Sequence, residues 1–414
     1  MPVVIGPIIP ILASVALMIL GSGALGTLIG IRLAGGGQGP LVVGVITAAY
    51  YAGLTLGSLQ CFRLITRVGH IRAFAAFASI FSAATLGHGL SSDLFVWTGL
   101  RFIEGVCLAG IYMCVESWLN DHATNETRGK ILSQYMVTLY AAMAASQQLI
   151  NFDQPGGPFL FMIIAILLSL SLVPIALTRA TAPTLPDVTA LGLRKLYQAS
   201  PLGIAGVFLS GALTGSLYGL GPVFAAQSGF GVSGTALFMT ILIAGGVFLQ
   251  WPLGRLSDVF DRRRVIIVLS IALAIAGVLL LFVHSEDGFL FPALTLTFGG
   301  LLFSLYPMSM AHTNDHIQRE EMVAASGGLI LLNSFGAILG PLAAASTMSV
   351  AGPSGLFVFS SIAAAALGGF GFWRTFVRMP PPPEEQMTFR SVPQTTPVVA
   401  PLHPEMEEDP TAAQ

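Results

Sequence analysis

Long apolar runs alternate along the chain with short breaks that are rich in glycine, proline or charged residues. A helix that crosses a membrane needs about 20 apolar residues in succession, and twelve runs of roughly that length occur. The pattern therefore predicts an all-α membrane protein with twelve transmembrane helices. The predicted spans are 7–33, 41–61, 73–91, 94–118, 130–151, 158–178, 202–226, 234–253, 265–284, 288–311, 322–345 and 354–376.

The cations are divided unevenly between the connections. Sixteen of the 18 Lys and Arg residues follow even-numbered runs or lie in the C-terminal region, whereas Arg32 follows the first run and Arg101 lies inside the fourth. Connections rich in Lys and Arg stay on the cytoplasmic side of a membrane. We therefore expect a multi-pass membrane protein with both termini in the cytoplasm, which agrees with an even number of spans.

An internal repeat divides the chain into two halves. The segment 22–30 in the first run matches 210–219 in the seventh with one insertion. Tyr112 with Asn-Asp-His at 120–122 recurs as Tyr306 with Asn-Asp-His at 314–316, at a constant offset of 194 residues. The repeat predicts two pseudo-symmetric six-helix bundles, related by an axis along the membrane normal, with a substrate site between them.

The repeat sets the domain boundaries that we expect. The N-terminal bundle comprises 1–178, a cytoplasmic linker comprises 179–200, and the C-terminal bundle comprises 201–376. The remaining residues, 377–414, are rich in Pro, Thr and Glu and should form a disordered cytoplasmic tail.

Composition narrows the class of protein. Hydrophobic residues make up 54% of the chain and charged residues 9%, whereas a soluble domain carries about 25% charged residues. A water-soluble fold is therefore excluded, and the bilayer is the expected partner. The net charge is -2 without a basic block, so we expect no nucleic-acid partner. We expect the protein to be a monomer.

The fourth run carries the sharpest signal for chemistry, because Arg101 and Glu104 lie three residues apart inside it. Charges within a membrane cost at least a few kcal/mol, so they normally face a wet cavity or a partner. Residues at this spacing share one helix face. We predict that Glu104 and Arg101 couple transport to a proton, while a fixed ion pair that only shapes the helix is the alternative.

Other polar and aromatic residues of the runs complete a predicted substrate cavity. Unsatisfied amides in hydrocarbon are costly, so they should face a cavity or a neighbouring helix. Hydrogen bonds between helices and aromatic packing are the alternatives for these side chains. The predicted cavity residues besides Arg101 and Glu104 are Tyr112, Gln147, Tyr218, Tyr306 and Asn333.

The connection after the eighth run reads GRLSDVFDRRR over 254–264. It resembles the loop signature of the major facilitator superfamily, which implies that fold and a contact that latches the cytoplasmic side. The corresponding segment 62–72 keeps Arg67 and Gly69 but has Phe62 and Thr66 where the signature has Gly and Asp. The alternative is that these arginines only set the topology. The predicted cytoplasmic gate comprises Arg67, Gly69, Glu116, Gly254, Asp258, Arg262 and Arg264, with Glu116 contacting a loop arginine.

Further local matches narrow the resemblance. The segments 115–117, 127–129 with 135–136, 305–307 and 339–341 resemble the poorly characterised bacterial branch called YcaD-like. The pattern R-x-x-x-G at Arg101 is similar to the superfamily's motif in its fourth helix, where the arginine is implicated in coupling. The Gly-Pro motif typical of drug/proton antiporters is absent from 135–150, which disfavours drug export.

Several chemical alternatives can be set aside. The G-x-G-x-x-G at 21–26 lies in an apolar run without a preceding strand, so it indicates close helix packing and not a dinucleotide site. His312 and His316 lack the glutamate of a zinc-protease motif, so we expect no metal. The chain lacks a Walker motif, so ATP is not the direct energy source, and we expect no cofactor and no enzyme activity.

Together these features predict a gradient-driven, proton-coupled secondary transporter that moves a small organic molecule across the inner membrane by alternating access. The alternative is a transport-inactive membrane sensor that has the same fold and signals through its tail.

Overall fold

A computed structural model describes residues 8–124, 126–154, 156–178, 183, 191–283, 288–318, 321–377, 389 and 393–402. All regular structure in these ranges is helical. The α-helices are α1 (Ile9–Gly35), α2 (Pro40–Val68), α3 (His70–Leu90), α4 (Leu94–Asp121), α5 (Arg128–Ser146), α6 (Phe159–Leu170), α7 (Leu172–Ala176), α8 (Leu193–Ala199), α9 (Pro201–Gln227), α10 (Gly231–Val259), α11 (Arg262–Leu279), α12 (Leu290–Asn314), α13 (Met322–Ala351) and α14 (Gly355–Thr375).

The helices reproduce the twelve predicted spans. Within the described ranges, ten spans are long and apolar enough to cross a membrane, with α6 and α7 together forming one of them. The other two predicted spans are α5 and α11, which begin in cations and are correspondingly less apolar. A 3-10 helix (Gln147–Phe152) continues α5. The predicted all-α membrane architecture is confirmed.

The same neighbours recur in the two halves. In the first, α2 packs on α4 and α3 on α6; in the second, α10 packs on α12 and α11 on α14. Glycine permits the close packing of α2 on α4 and of α10 on α12. A Cβ at Gly53 would lie 2.0 Å from the carbonyl oxygen of Phe102, and one at Gly245 would lie 2.0 Å from that of Leu296. The repeat in the sequence is therefore a repeat in helix packing.

The two faces of the bundle differ in charge. We call the face where α2 and α10 end the arginine-rich face, and the opposite one, where α1 ends and α2 begins, the arginine-poor face. The halves are in contact near the arginine-poor face. A Cβ at Gly44 in α2 would lie 2.8 Å from that of Ala345 in α13, and Gln148 Nε2 donates to Thr240 Oγ1 at 2.7 Å.

The connection between the halves is only partly described. Of the predicted linker, residue 183 and the stretch 191–200 lie in the described ranges, and α8 occupies most of that stretch. The amide of Leu191 donates to the carbonyl of Ala324 at 2.7 Å, and Lys195 pairs with Glu321. The linker is therefore attached to the start of α13.

The C-terminal region departs from the expectation of a disordered tail. Most of 377–414 lies outside the described residues, but 393–402 pack against α4, α5 and α13 and end in a 3-10 helix (Pro397–Leu402). Thr396 and Val399 are fully buried. A stretch rich in proline and threonine can become ordered when a neighbouring surface supplies its partners.

Candidate functional site

A cavity of about 220 Å³ lies between the two halves. Among the described residues, its wall contains one cation, Arg101, and six aromatic rings. Asp and Glu are missing from the described residues that line it. The rings are Tyr50, Tyr51, Tyr112, Tyr140, Tyr218 and Phe303, and the small polar groups include Ser22, Thr47, Thr214, Asn333 and Ser334.

Arg101 connects the cavity to a buried carboxylate behind it. Its Nη1 donates to Glu104 Oε2 at 2.8 Å, and its guanidinium lies 4.0 Å from the centre of the Tyr50 ring. Glu104 is fully buried. Glu104 lies ten positions after Leu94, the start of α4, which corresponds to about 15 Å along the helix axis and places the pair well inside the bundle. The guanidinium at the cavity wall is therefore paired with a buried carboxylate.

A histidine completes this cluster. His88 Nε2 lies 3.2 Å from Glu104 Oε1, and Thr85 Oγ1 lies at hydrogen-bond distance from the same oxygen. The ring of His88 is enclosed by Trp97 and Phe161, with centroids 5.1 and 5.8 Å away. Sequence analysis missed His88, because a single histidine in an apolar run has no local signature. Its position in the last turn of α3, close in sequence to the start of α4, was the only available signal.

The structure brings four of the seven predicted cavity residues to the cavity wall. They are Arg101, Tyr112, Tyr218 and Asn333.

The three other predicted cavity residues lie elsewhere. Glu104 is behind Arg101, as described. Gln147 is buried between helices, where it accepts from Thr27 Oγ1 at 2.6 Å and donates to the carbonyl of Gly23 at 3.0 Å. Tyr306 is fully buried in the C-terminal half, outside the cavity wall. The structure places Gln147 and Tyr306 away from the cavity wall, a position that hydropathy could not indicate because it does not show which face of a buried helix meets the cavity.

At the arginine-rich face, the second half carries a network of charges. Arg262 donates from Nη1 to both carboxylate oxygens of Asp315, at 2.7 and 2.8 Å, and from Nη2 to Asp258 at 3.3 Å. The side chains of Arg262 and Asp315 are each only 1% exposed. The network joins the end of α10, the start of α11 and the end of α12, so it fixes the three ends relative to one another.

The remaining gate residues of the two loops differ in surroundings. Arg67 and Arg264 are exposed, and Arg264 Nε is 3.9 Å from Asp261. Gly69 joins α2 to α3 with a φ of +87°, a conformation that favours glycine. Gly254 lies under the ring of Phe389, where a Cβ would be 2.2 Å from the nearest ring carbon.

Glu116 differs from its prediction. It is fully buried, and its carboxylate accepts from Tyr135 Oη at 3.1 Å and from the hydroxyls of Thr395 and Thr396. The expected loop arginine is thus replaced by hydroxyl donors, two of which come from the C-terminal segment. Sequence could not indicate this contact, because almost 280 residues separate the partners.

Comparison with known proteins defines the class. The family model of the Major Facilitator Superfamily matches residues 11–302 and 204–403. The chain is 31% identical over 338 residues to a protein of Escherichia fergusonii named uncharacterized MFS-type transporter YcaD, covering 81% of this chain and 87% of that protein. It is 30% identical over 357 residues to the YcaD protein of Salmonella heidelberg, covering 85% and 91%.

Solved structures share the fold at low identity. A variant of the nucleoside transporter NupG superposes with a TM-score of 0.74 at 12% identity, covering 88% of this chain and 98% of that one. A bacterial homolog of the human lysosomal transporter Spinster, in an inward-facing and occupied conformation, gives 0.74 at 14% identity, covering 92% and 97%. A D-xylose-proton symporter gives 0.69 at 15%, covering 92% and 99%.

Fold, cavity and relatives thus define a multi-pass membrane transporter. The chain belongs to the Major Facilitator Superfamily, and the predicted resemblance to its YcaD-like branch is confirmed.

Proposed function

We propose that the protein is a proton-coupled secondary transporter of the bacterial inner membrane that moves a small aromatic anion by alternating access. The arginine-rich face is the cytoplasmic face in this proposal, in line with the positive-inside rule. The observation that carries the proposal is the cluster in which Arg101 lies in the cavity wall and Glu104 is bonded to it from behind, at 2.8 Å. D-xylose-proton symport by a structural relative is consistent with proton coupling.

The cavity supports the substrate class. A ring-shaped molecule can stack on the tyrosines and on Phe303, and its anionic group can bind Arg101, whose charge no described carboxylate at the cavity wall opposes. Sites for drug-sized ligands usually have about 300–1,000 Å³. The cavity volume of about 220 Å³ therefore favours a smaller metabolite in this conformation.

Coupling follows from the charges. When Glu104 is ionised, it compensates Arg101, and the pair is neutral toward the cavity. When Glu104 takes up a proton, the guanidinium presents its full charge to an anionic substrate. Because linkage is reciprocal, a bound anion also favours protonation of Glu104. His88 faces Glu104 from the last turn of α3 and is the proton donor on the arginine-poor, periplasmic side.

Proteoliposomes loaded with the pH-sensitive dye pyranine test the proposal. The probes are small aromatic carboxylates and the matching neutral carboxamides. We expect at least one carboxylate to acidify the lumen faster than it does in empty liposomes, while its carboxamide does not. Glu104→Gln should abolish the difference, and Glu126→Gln, at an exposed position, should leave it unchanged. Equal rates with and without protein for every carboxylate, or an unchanged rate in Glu104→Gln, would contradict the proposal.

A transport-inactive sensor is the second candidate, and the docked C-terminal segment is the observation that favours it. Deletion of 379–414 separates the two. A transporter should keep or increase its flux without the tail, whereas a sensor that signals through the tail would show no flux in the complete chain and lose its output on deletion.

A further inference from the structure

The arginine-rich end of the cleft between the two halves holds a segment of the chain itself. Pro393, Gln394 and Thr395 form part of the cavity wall. The following residues pack against α4 and α5 of the first half and α13 of the second. We propose that this end of the cleft is a binding site for Phe389 and residues 393–399, which we call the docked segment, and that this segment acts as an autoinhibitory plug.

The first anchor is the carboxylate of Glu116. A buried carboxylate is costly unless donors satisfy its oxygens. Thr395 donates to Oε1 and Thr396 to Oε2, and Tyr135 donates to Oε1 at 3.1 Å. Two of these three donors therefore belong to the segment. Adjacent threonines that reach the two oxygens of one carboxylate form a specific contact, which apolar adhesion alone would not produce.

The second anchor lies one turn further along α4. Asn120 Nδ2 donates to the carbonyl of Val398 at 2.6 Å. Val398 and Val399 are 4% and 0% exposed, so apolar side chains as well as polar groups of the segment are buried. Hydrogen bonds fix the register of the segment, and burial of the two valines stabilises it.

The third anchor belongs to the other half. The amide of Phe389 donates to Asp258 Oδ1 at 2.6 Å, and its ring covers Gly254 in α10. Six residues further along, Thr395 is bonded to α4. The described residues of the segment therefore contact both halves at the opening, Asp258 on one side and Glu116 on the other.

This bridge has a consequence for alternating access, which rests on the proposed transport function. The halves already touch at the arginine-poor face, so a change of the open side requires their arginine-rich ends to approach each other. The docked segment occupies the space between those ends. It must leave before the cleft can close there, so docking holds the protein in one conformation and reduces the rate of transport.

Cysteine accessibility in the full-length chain tests docking without any transport. The native cysteines Cys61, Cys107 and Cys114 are buried and give a low background. A cysteine introduced by Val399→Cys reports on the segment, and one introduced by Glu126→Cys, at an exposed position, gives the reference rate. With a hydrophilic maleimide, we expect the Val399→Cys protein to react at least tenfold more slowly than the reference.

Release of the anchors should expose the reporter. Thr395→Val with Thr396→Val should accelerate labelling of Val399→Cys at least tenfold. In the Val399→Cys protein that keeps both threonines, an excess of the peptide 389–402 should also accelerate labelling. Thr297→Val is the matched control, because that exposed hydroxyl bonds only to the carbonyl of its own helix at Ala293, at 2.8 Å. Labelling of Val399→Cys at the reference rate, or no acceleration by the double substitution, would overturn the proposal.

The same double variant separates this inference from the proposed function. If the segment is a plug, Thr395→Val with Thr396→Val should raise carboxylate-driven proton flux several-fold. Slow labelling without flux in any variant would leave docking intact and contradict transport. Fast labelling with normal flux would contradict docking and leave transport intact.

Discussion

The two halves share a helix order but carry their charges at different depths. The first half has its ionisable cluster inside the bundle, where Arg101, Glu104 and His88 meet beside the cavity. The second half has its network at the arginine-rich face, where Arg262 binds Asp315. The position that corresponds to Arg262 at the start of the third helix of the first half is His70, which packs against Trp118 with ring centroids 5.8 Å apart.

This difference indicates a division of roles. The second half has an ion pair at its face and apolar residues at the depth of the Arg101, Glu104 and His88 cluster. One of them is Leu280, which occupies the position of His88 when α3 and α11 are aligned by their first residues. The first half has a buried cluster of Arg101, Glu104 and His88 in its interior and a face that contacts the C-terminal segment. Under the proposed function, the first half would respond to the proton, and the second half would provide the fixed frame against which it moves.

The largest effect is expected when the ion pair of the second half is broken. Arg262→Ala removes the bidentate partner of the buried Asp315 and should lower the free energy of unfolding by about 3–5 kcal/mol. His70→Ala, at the corresponding position, should cost about 1–2 kcal/mol because it removes the ring that packs on Trp118. Arg264→Ala, at an exposed position, is the control. Denaturant titration in detergent measures all three, and equal costs for Arg262→Ala and His70→Ala would refute the difference.

The glycine contacts that the two halves share should be equally sensitive to substitution in both halves. Gly53→Ala and Gly245→Ala each place a Cβ 2.0 Å from a backbone oxygen, so the helices must move apart, at a cost of about 1–3 kcal/mol in unfolding free energy. Gly99→Ala, where a Cβ would have 4 Å of free space, should be neutral or stabilise by up to about 1 kcal/mol. A loss at only one crossing would show that the repeat in packing is not equivalent in the two halves.

A smaller effect is expected when His88 of the first half is replaced by the leucine found at the corresponding position of the second half. His88→Leu copies Leu280 and removes the group that faces Glu104. Carboxylate-driven proton flux should fall about tenfold, which corresponds to about 1.4 kcal/mol, and its dependence on external pH should flatten. The unfolding midpoint should change little, because leucine fits the apolar surroundings. An unchanged pH profile would remove His88 from the proton path.

Sequence predicted the architecture well because hydropathy over about 20 residues is a local property. It predicted the ends of helices less well. The runs that end at 61 and 253 continue as helix to Val68 and Val259, because a helix extends past the membrane into arginine-containing turns.

Sequence predicted Arg101 with Glu104 because the spacing of three residues places them on one face. It could not predict His88, whose role depends on the packing of two helices, or the partner of Glu116, which lies almost 280 residues away. It placed Tyr306 in the cavity, because a repeated tyrosine does not reveal that only its counterpart Tyr112 lines the wall. These failures have one cause, since each depends on contacts between helices that are distant in sequence.

The central claim is that Glu104 couples proton movement to the substrate through Arg101. Glu104→Gln proteoliposomes test it most directly when two measurements are made on the same preparation with a carboxylate that the unchanged protein transports. We expect exchange of labelled for unlabelled carboxylate at equal pH to continue, while accumulation driven by a pH gradient falls at least tenfold. Undiminished accumulation against a concentration gradient by Glu104→Gln would contradict the claim.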